Sequence, residues 1–444
     1  MRRFLLSFFL GLTSTVSINA QSLYFPPISG NTWDTISPAS LGWCLDKIDT
    51  LIDYLGDRNT KAFILLKDGK IVIEKYYGTF TQDSNWYWAS AGKTLTAFTV
   101  GMAQQESFIS ISDTTSAYLG TGWTICPPAK EDMITIRHQL TMTSGLDDGV
   151  PDYTCTLDTC LQYLADAGTR WAYHNGPYTL LDGVIQAATG QSLNAYFTAK
   201  VKTPTGMNGA FLPSGYNNVY YSKPRSMARF GLLMLNNGNW NGNQIMTDAS
   251  YFNQMVNTSQ NINNSYGYLW WLNGKASFMV PTLQFVFPGS LNPSAPNDMI
   301  AALGKNGQVI NVVPSQNLVY IRMGDPPGDN SPVPISFNDT IWQKLNDAMC
   351  TPASVSNAVS EIFDVMVYPN PFTDELIVTS SVFPVHVSLQ NIVGETIQNR
   401  TLTENGPEAS GLVTSNLAEG IYFLVISSGD KRVVKKVVCS KSSD

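Results

Sequence analysis

The chain has 444 residues, 43% of them hydrophobic and 14% charged, enough apolar material for a sizeable core and more than one domain. Its formal net charge of -7 repels phosphate backbones, so nucleic acid is excluded as an expected partner. Six cysteines without a Cys-x-x-Cys spacing, and no His-Glu-x-x-His, argue against zinc or thioredoxin-like chemistry.

Residues 1–20 read as a cleavable signal peptide: Arg2 and Arg3, an apolar run from Phe4 to Leu12, then Ile18-Asn19-Ala20 as the small-residue cleavage site. The run is too short to span a bilayer, so the mature chain is expected to be soluble and exported. In that setting the cysteines suggest disulfides. The expected pairs are Cys44 with Cys350, tying the first helix to the last, and Cys155 with Cys160 as a local loop.

Ser37-Pro38 reads as N-cap and first helical residue of one amphipathic helix, with a stripe of Leu41, Leu45, Ile48, Ile52 and Leu55 ending at Gly56. Phe63–Leu66 and Ile71–Glu74 flank Lys67-Asp68-Gly69-Lys70, a strong hairpin signal that opens the sheet. The stretch from Trp88 to Gln105 carries no charge after Lys93, and Leu95, Phe98, Val100, Met102 and Ala103 surround its axis, which predicts a helix buried on all sides. Further helices are predicted from Tyr178 to Ala188, closed by Gly190, and from Met227 to Leu235, closed by Gly238. Strands return at Met299–Leu303, Val309–Val313 and Leu318–Met323, and a helix from Thr340 to Met349 ends at Cys350. The order implies an α+β domain: one antiparallel sheet built from both chain ends, flanked by helices, with a mostly helical insert. After a Ser, Ala and Val-rich stretch the pattern becomes all-β, with strands at Glu375–Thr379, Val385–Gln390, Ile421–Ser427 and Val433–Val438 in a small sandwich. The expected division is signal peptide 1–20, first domain 21–350, linker 351–364 and sandwich 365–444.

Three short motifs carry chemistry. Lys93 at the head of a core helix is a cation whose desolvation favours the neutral amine, a competent proton acceptor. Ser90, one turn earlier on the same face, is a hydroxyl such an amine can activate, and its backbone N–H at the helix start suits an oxyanion. Tyr173-His174-Asn175 places a phenol that can relay a proton two residues from an amide that can bind a substrate carbonyl. Lys305-Asn306-Gly307, between two predicted strands, reads equally as a hairpin turn or as a cleft motif, with a cation and a glycine beside substrate.

In that order, Ser90-Ala91-Gly92-Lys93, Tyr173-His174-Asn175 and Lys305-Asn306-Gly307 resemble the three motifs of the penicillin-recognising serine hydrolases, with Tyr-x-Asn in the class C form. Ile134–Leu146 and Arg229-Phe230-Gly231-Leu232-Leu233 are further similarities, and the resemblance covers about residues 40 to 350. It implies a β-lactamase/transpeptidase-like fold with no metal or cofactor. It further implies an acyl-enzyme on Ser90, acid-base work shared between Lys93 and Tyr173, and substrate binding by Asn175, Lys305, Asn306 and Gly307. The backbone N–H groups of Ser90 and Gln308 would form the oxyanion hole. Asn306 stands where a Thr or Ser hydroxyl is usual, and His174 where a small residue is commoner. An esterase, amidase or peptidase is therefore expected, ahead of a β-lactamase or D-Ala-D-Ala carboxypeptidase, with a non-catalytic surface binding module as the alternative of another class.

Val367-Tyr368-Pro369-Asn370-Pro371-Phe372, Leu417-Ala418-Glu419-Gly420-Ile421-Tyr422-Phe423 and a final strand with Lys431, Arg432, Lys435 and Lys436 resemble the C-terminal sorting domain of type IX secretion. That implies the secretion machinery as partner and a secreted or cell-surface location, often with removal of the tail.

Overall fold

The computed structural model describes residues 23–328, 333–350, 364–391, 395–404, 411–429 and 431–441. The expected signal peptide and nearly all of the expected linker lie outside them. The chain divides into two compact units, separated between residues 351 and 352.

In the first unit, α1 spans Leu45–Asp57, and the hairpin follows as β1 (Thr60–Lys67) and β2 (Lys70–Tyr76). The single long first helix expected from the sequence is broken. A short 3-10 turn, Pro38–Leu41, is stopped by Gly42 at φ 73°, and α1 starts afresh after Cys44. A left-handed residue ends a helix whatever the hydrophobic stripe beyond it favours. Leu45, counted in that stripe, is exposed.

Next come α2 (Lys93–Gln105), α3 (Leu181–Thr189), a hairpin of β3 (Ala210–Ser214) and β4 (Asn217–Ser222), and α4 (Pro224–Leu235). The later strands are β5 (Trp271–Leu272), β6 (Ile300–Gly304), β7 (Gln308–Val313) and β8 (Leu318–Gly324), and α5 (Ile335–Met349) ends the unit.

The central sheet has the order β2-β1-β8-β7-β6-β5 with every pair antiparallel. Both chain ends therefore meet at the β1–β8 pair, where Ile64 faces Ile321 and Leu65 faces Tyr320. All seven residues of β8 are buried, which requires cover on both faces. Successive strand residues point to opposite faces. Tyr320 meets Trp342 of α5 at 5.6 Å between rings. Its neighbour Val319 meets α4 at Gly231, where an added Cβ would lie 2.5 Å from the valine. α4 and α5 thus lie on opposite faces. Cys44 pairs with Cys350, fastening the start of α1 to the end of α5, and Cys155 pairs with Cys160; their Cα separations are 5.6 and 5.9 Å.

The second unit is all-β. Val365–Tyr368, Glu375–Ser380 and Gly411–Val413 form one antiparallel sheet, and Thr396–Leu402, Val385–Gln390, Gly420–Ser428 and Lys431–Cys439 another. Leu376, Val378, Val387, Leu389, Leu424, Ile426 and Val437 make its core.

Candidate active site

Helix α2 is buried all round from Lys93 to Ala103, so its first turn can only open onto a cavity within the fold. Ser90 lies just before it, in a 3-10 turn Ala89–Gly92. Ala89 adopts φ 48°, a left-handed conformation that a residue with a Cβ reaches only under external constraint. The constraint comes from Trp88, whose N–H donates to Tyr220 O at 2.8 Å and whose indole Nε1 donates to Ser222 Oγ at 2.8 Å. On the other side β6 presses close. A Cβ at Gly304 would stand 2.5 Å from Trp88 O and 2.9 Å from Ala91 N.

Lys93 is 5% exposed. Its Nζ lies 3.9 Å from the centroid of the Tyr178 ring and 5.4 Å from that of Tyr173. Burial brings its ammonium down to about 7, opposed by the charge of Asp182. Burial pushes the Tyr173 phenol well above the ordinary tyrosine value, with the Ser90 hydroxyl acting on it in the opposite sense. The Tyr173 ring stacks on Trp271 of the edge strand β5 at 6.0 Å and meets Tyr266 edge-on.

Residues 139–142 brace this corner. Ala172 N–H donates to Met142 O at 2.9 Å, and Gln139 Nε2 donates to Pro177 O at 2.7 Å, in the short helix Asn175–Thr179.

One cavity of about 1120 Å³ gathers Ser90, Lys93, Tyr173, Asn175, Lys305 and Asn306. Asn175 is 8% exposed and its Oδ1 has no hydrogen-bond partner among the described residues. Lys305-Asn306-Gly307 is a tight turn between β6 and β7, and its Lys305 and Asn306 line the cavity. Asn306, at φ 64°, donates from Nδ2 to the Tyr87 hydroxyl at 2.8 Å.

Gly307 and Gln308 are not among the cavity-lining residues. A Cβ added at Gly307, which sits at φ 74°, would meet the Arg322 guanidinium at 2.7 Å and the Phe337 ring at 3.2 Å. The Gln308 side chain is bonded to both main-chain groups of Gly324. His174 is buried, absent from the cavity wall, and held neutral by burial at about 4.

Sequence reasoning missed much of the wall, including Asp147, Asp148, Tyr153, Arg170, Tyr178 and Asn218. Arg170 Nη2 and Asp148 Oδ1 form an ion pair at 2.6 Å. Tyr178 carried a usable signal, since it follows Asn175 by one helical turn on the same short helix. The others sit in loops and on a hairpin without a motif.

A sheet closed by both chain ends, with a core helix bringing a serine and a buried lysine to a cavity beside it, is the β-lactamase/transpeptidase-like fold. The chain belongs to the Beta-lactamase family, which it matches over residues 48–324. Members of that family are generally serine hydrolases. Residues 366–440 match the secretion system C-terminal sorting domain, which indicates secretion and a cell-surface location. Among the described residues no helix is long and apolar enough to cross a membrane.

An uncharacterised protein of Alkalihalophilus pseudofirmus is 26% identical over 341 residues, covering 67% of this chain and 94% of its own length. Among solved structures, a protein assigned as a β-lactamase from Bacteroides dorei superimposes with a TM-score of 0.55 at 18% identity, over 69% of this chain and 99% of that one. A protein assigned as a 6-aminohexanoate-dimer hydrolase from Bacillus anthracis gives 0.53 at 20% identity, over 66% and 81%. At these identities the two structures speak for the fold alone.

Proposed function

We propose that the protein is a secreted serine hydrolase that cleaves an ester or amide bond through an acyl-enzyme on Ser90. The observation that carries this reading is Lys93: a buried amine with a value of about 7 one turn from a serine that opens onto the same cavity. Near neutrality such an amine accepts a proton, whereas a phenol raised as far as that of Tyr173 stays protonated. Lys93 is therefore the base that takes the Ser90 proton. The Lys93 ammonium returns that proton through the Tyr173 hydroxyl to the leaving group, and Lys93, neutral again, takes a proton from the water that releases the acyl chain and hands it back to Ser90. Asn175, Lys305 and Asn306 orient the substrate, and the backbone N–H groups of Ser90 and Gln308 receive the oxyanion.

Asn306 supplies an amide where β-lactam and D-Ala-peptide recognition in the family uses a hydroxyl, which favours another ester or amide as substrate. Residues 1–20 direct export, residues 21–350 form the hydrolase, 351–364 link it to the tail, and residues 365–444 engage the type IX machinery.

The test is covalent labelling by a fluorophosphonate and a fluorescent penicillin, followed by a panel of esters, amides, D-amino-acid peptides and β-lactams. Ser90→Ala is expected to abolish labelling and turnover. Labelling that persists in that variant rules out Ser90 as nucleophile. A folded wild type that takes neither label supports a binding module instead.

A further inference from the structure

Two hairpins border the cavity that holds Ser90. The first is β3–β4, whose Ser214, Asn217, Asn218 and Val219 line it. The second pairs Phe278 with Phe287 and Ser277 with Pro288, and its Pro281 and Thr282 line the same cavity. Neither carries a charge: residues 203–222 and residues 276–297 contain no Asp, Glu, Lys, Arg or His. Long uncharged stretches usually lie in a core. These reach the surface: Leu212 and Tyr216 are exposed at 48% and 39%, and Leu283, Phe285 and Val286 at 46%, 60% and 46%.

The second hairpin is built to present its apolar tip. Phe287 stacks on Phe278 at 5.3 Å and takes the Phe285 ring edge-on at 4.8 Å, so the exposed phenyl stands on an aromatic base. Thr282, at φ 70°, is a β-branched residue in the left-handed region, which it holds only under constraint. The chain passes there from the cavity wall to exposed Leu283 in one residue. Gln284 Nε2 donates to Trp171 O at 3.0 Å and ties the loop to the strand of chain that carries Tyr173. Single exposed apolar side chains are ordinary, but contiguous ones on two uncharged hairpins that share a cavity mark an interaction surface.

The charges nearby select the partner. Asp147 and Asp148 line the same cavity, and Asp152 and Asp158 of the following loop are exposed. With a formal net charge of -7 they repel an anionic surface, whereas uncharged apolar tips enter a zwitterionic one. The five tip side chains offer one hydroxyl, that of Tyr216, and no charge to fix the register of a protein partner. A fluid lipid surface requires no register, and the sorting domain takes the protein to the cell surface.

We propose that the tips of these two hairpins, Leu212, Tyr216, Leu283, Phe285 and Val286, insert into a zwitterionic phospholipid surface and set the mouth of the Ser90 cavity against it. The contact is independent of the chemistry at Ser90.

The experiment is flotation of the whole purified protein with phosphatidylcholine vesicles, repeated in about 1 M salt and with phosphatidylserine mixed in. Wild type is expected to float with phosphatidylcholine, undiminished by salt because no ion pair holds it, and to float less as phosphatidylserine is added. Leu283→Ser with Phe285→Ser alters exposed side chains, leaves the cavity residues in place, and should lower the vesicle partition coefficient at least about tenfold. Leu212→Ser, on the other hairpin, should lower it by a smaller factor and keeps the test open if the double variant misfolds. A wild type that stays in the soluble fraction overturns the proposal without any variant. Flotation that both variants retain places the lipid contact elsewhere and overturns it. Flotation that salt abolishes or phosphatidylserine strengthens makes the contact electrostatic, with the same result. A dimer in sedimentation that Phe285→Ser dissociates, without flotation, makes a second copy the occupant and overturns it too.

Discussion

The Nζ of Lys93 sits 3.9 Å above the centroid of the Tyr178 ring, and the Tyr178 hydroxyl lies 3.3 Å from Thr96 Oγ1, one turn further along the same helix. The aromatic face is thus fixed to the element that carries the amine. It gives the buried nitrogen a partner that favours the ammonium without supplying a counter-charge. Desolvation outweighs it, and Lys93 settles near neutrality.

This arrangement predicts the shape of the pH dependence. The active form needs the neutral amine, so kcat/KM should rise with pH through about 7 and then level. Replacing Tyr178 by Leu removes the face that stabilises the charged form, so the midpoint moves down, by about half a pH unit for an interaction of roughly 0.5–1 kcal/mol. Initial rates over pH 5 to 9 on one ester read both effects. An upward move would mean that the ring acts chiefly by desolvating the amine.

Replacing Lys93 should move stability and activity in opposite senses. Lys93 has a native value of about 7, against an unfolded lysine near 10.4. Between these values the unfolded chain binds more protons, so stability attributable to this residue increases with pH through that window and is poorest below it. Lys93→Met removes the penalty. The variant should be inactive yet more stable at pH 7 by roughly 3 kcal/mol, with the gain shrinking towards pH 10. Chemical denaturation at the two pH values checks this, and equal gains at both would show that burial of the charge is not the cause.

Gly304 is expected to tolerate no side chain. Its φ of -124° suits any residue, so the constraint is steric: the missing Cβ would meet Trp88 O at 2.5 Å and Ala91 N at 2.9 Å. Backbone atoms in secondary structure cannot step aside as a flexible side chain can. Gly304→Ala should therefore separate β6 from the turn holding Ser90, at a cost of about 1–3 kcal/mol in stability and with a larger proportional loss in kcat than in KM. A thermal melt and steady-state kinetics read the two quantities. An unaffected kcat would place the strain elsewhere.

How far the sequence could disclose this depends on which force decides each feature. The β1–β2 hairpin, the buried α2 and the three late strands follow from apolar patterning and turn residues, and they stand within a few residues of the expected limits. The break at Gly42 was illegible because the stripe of Leu41, Leu45 and Ile48 continues across it. Thr396–Leu402 is too polar to read as a strand, and Trp271–Leu272 is two residues long; pairing with neighbours, a tertiary effect, makes both. At the site, Ser90, Lys93 and Tyr173 are visible through motif and helix position. Asp182 and Asn218 are joined only by the folded chain, and no local pattern announces a hydrogen bond across 36 residues.

Arg322 offers a test of the Lys305–Gly307 turn from behind. It is fully buried in β8, and its guanidinium donates to Thr60 Oγ1 and to the carbonyls of Asn306, Gly307, Arg58 and Asp325 at 2.7–3.1 Å. Burial lowers it to about 9, so it remains charged at neutral pH. Two of its acceptors belong to the turn that carries Lys305 and Asn306 to the cavity rim. Arg322→Met leaves these carbonyls buried without donors and should cost roughly 3 kcal/mol. The loosened turn should raise KM more than it lowers kcat, because the variant leaves Ser90 and Lys93 in place. Arg322→Lys supplies charge without the planar fork and reaches fewer carbonyls at once, so it should recover only part of the stability and little of the KM. Full recovery of both by lysine would show that charge, and not the shape of the guanidinium, holds the turn.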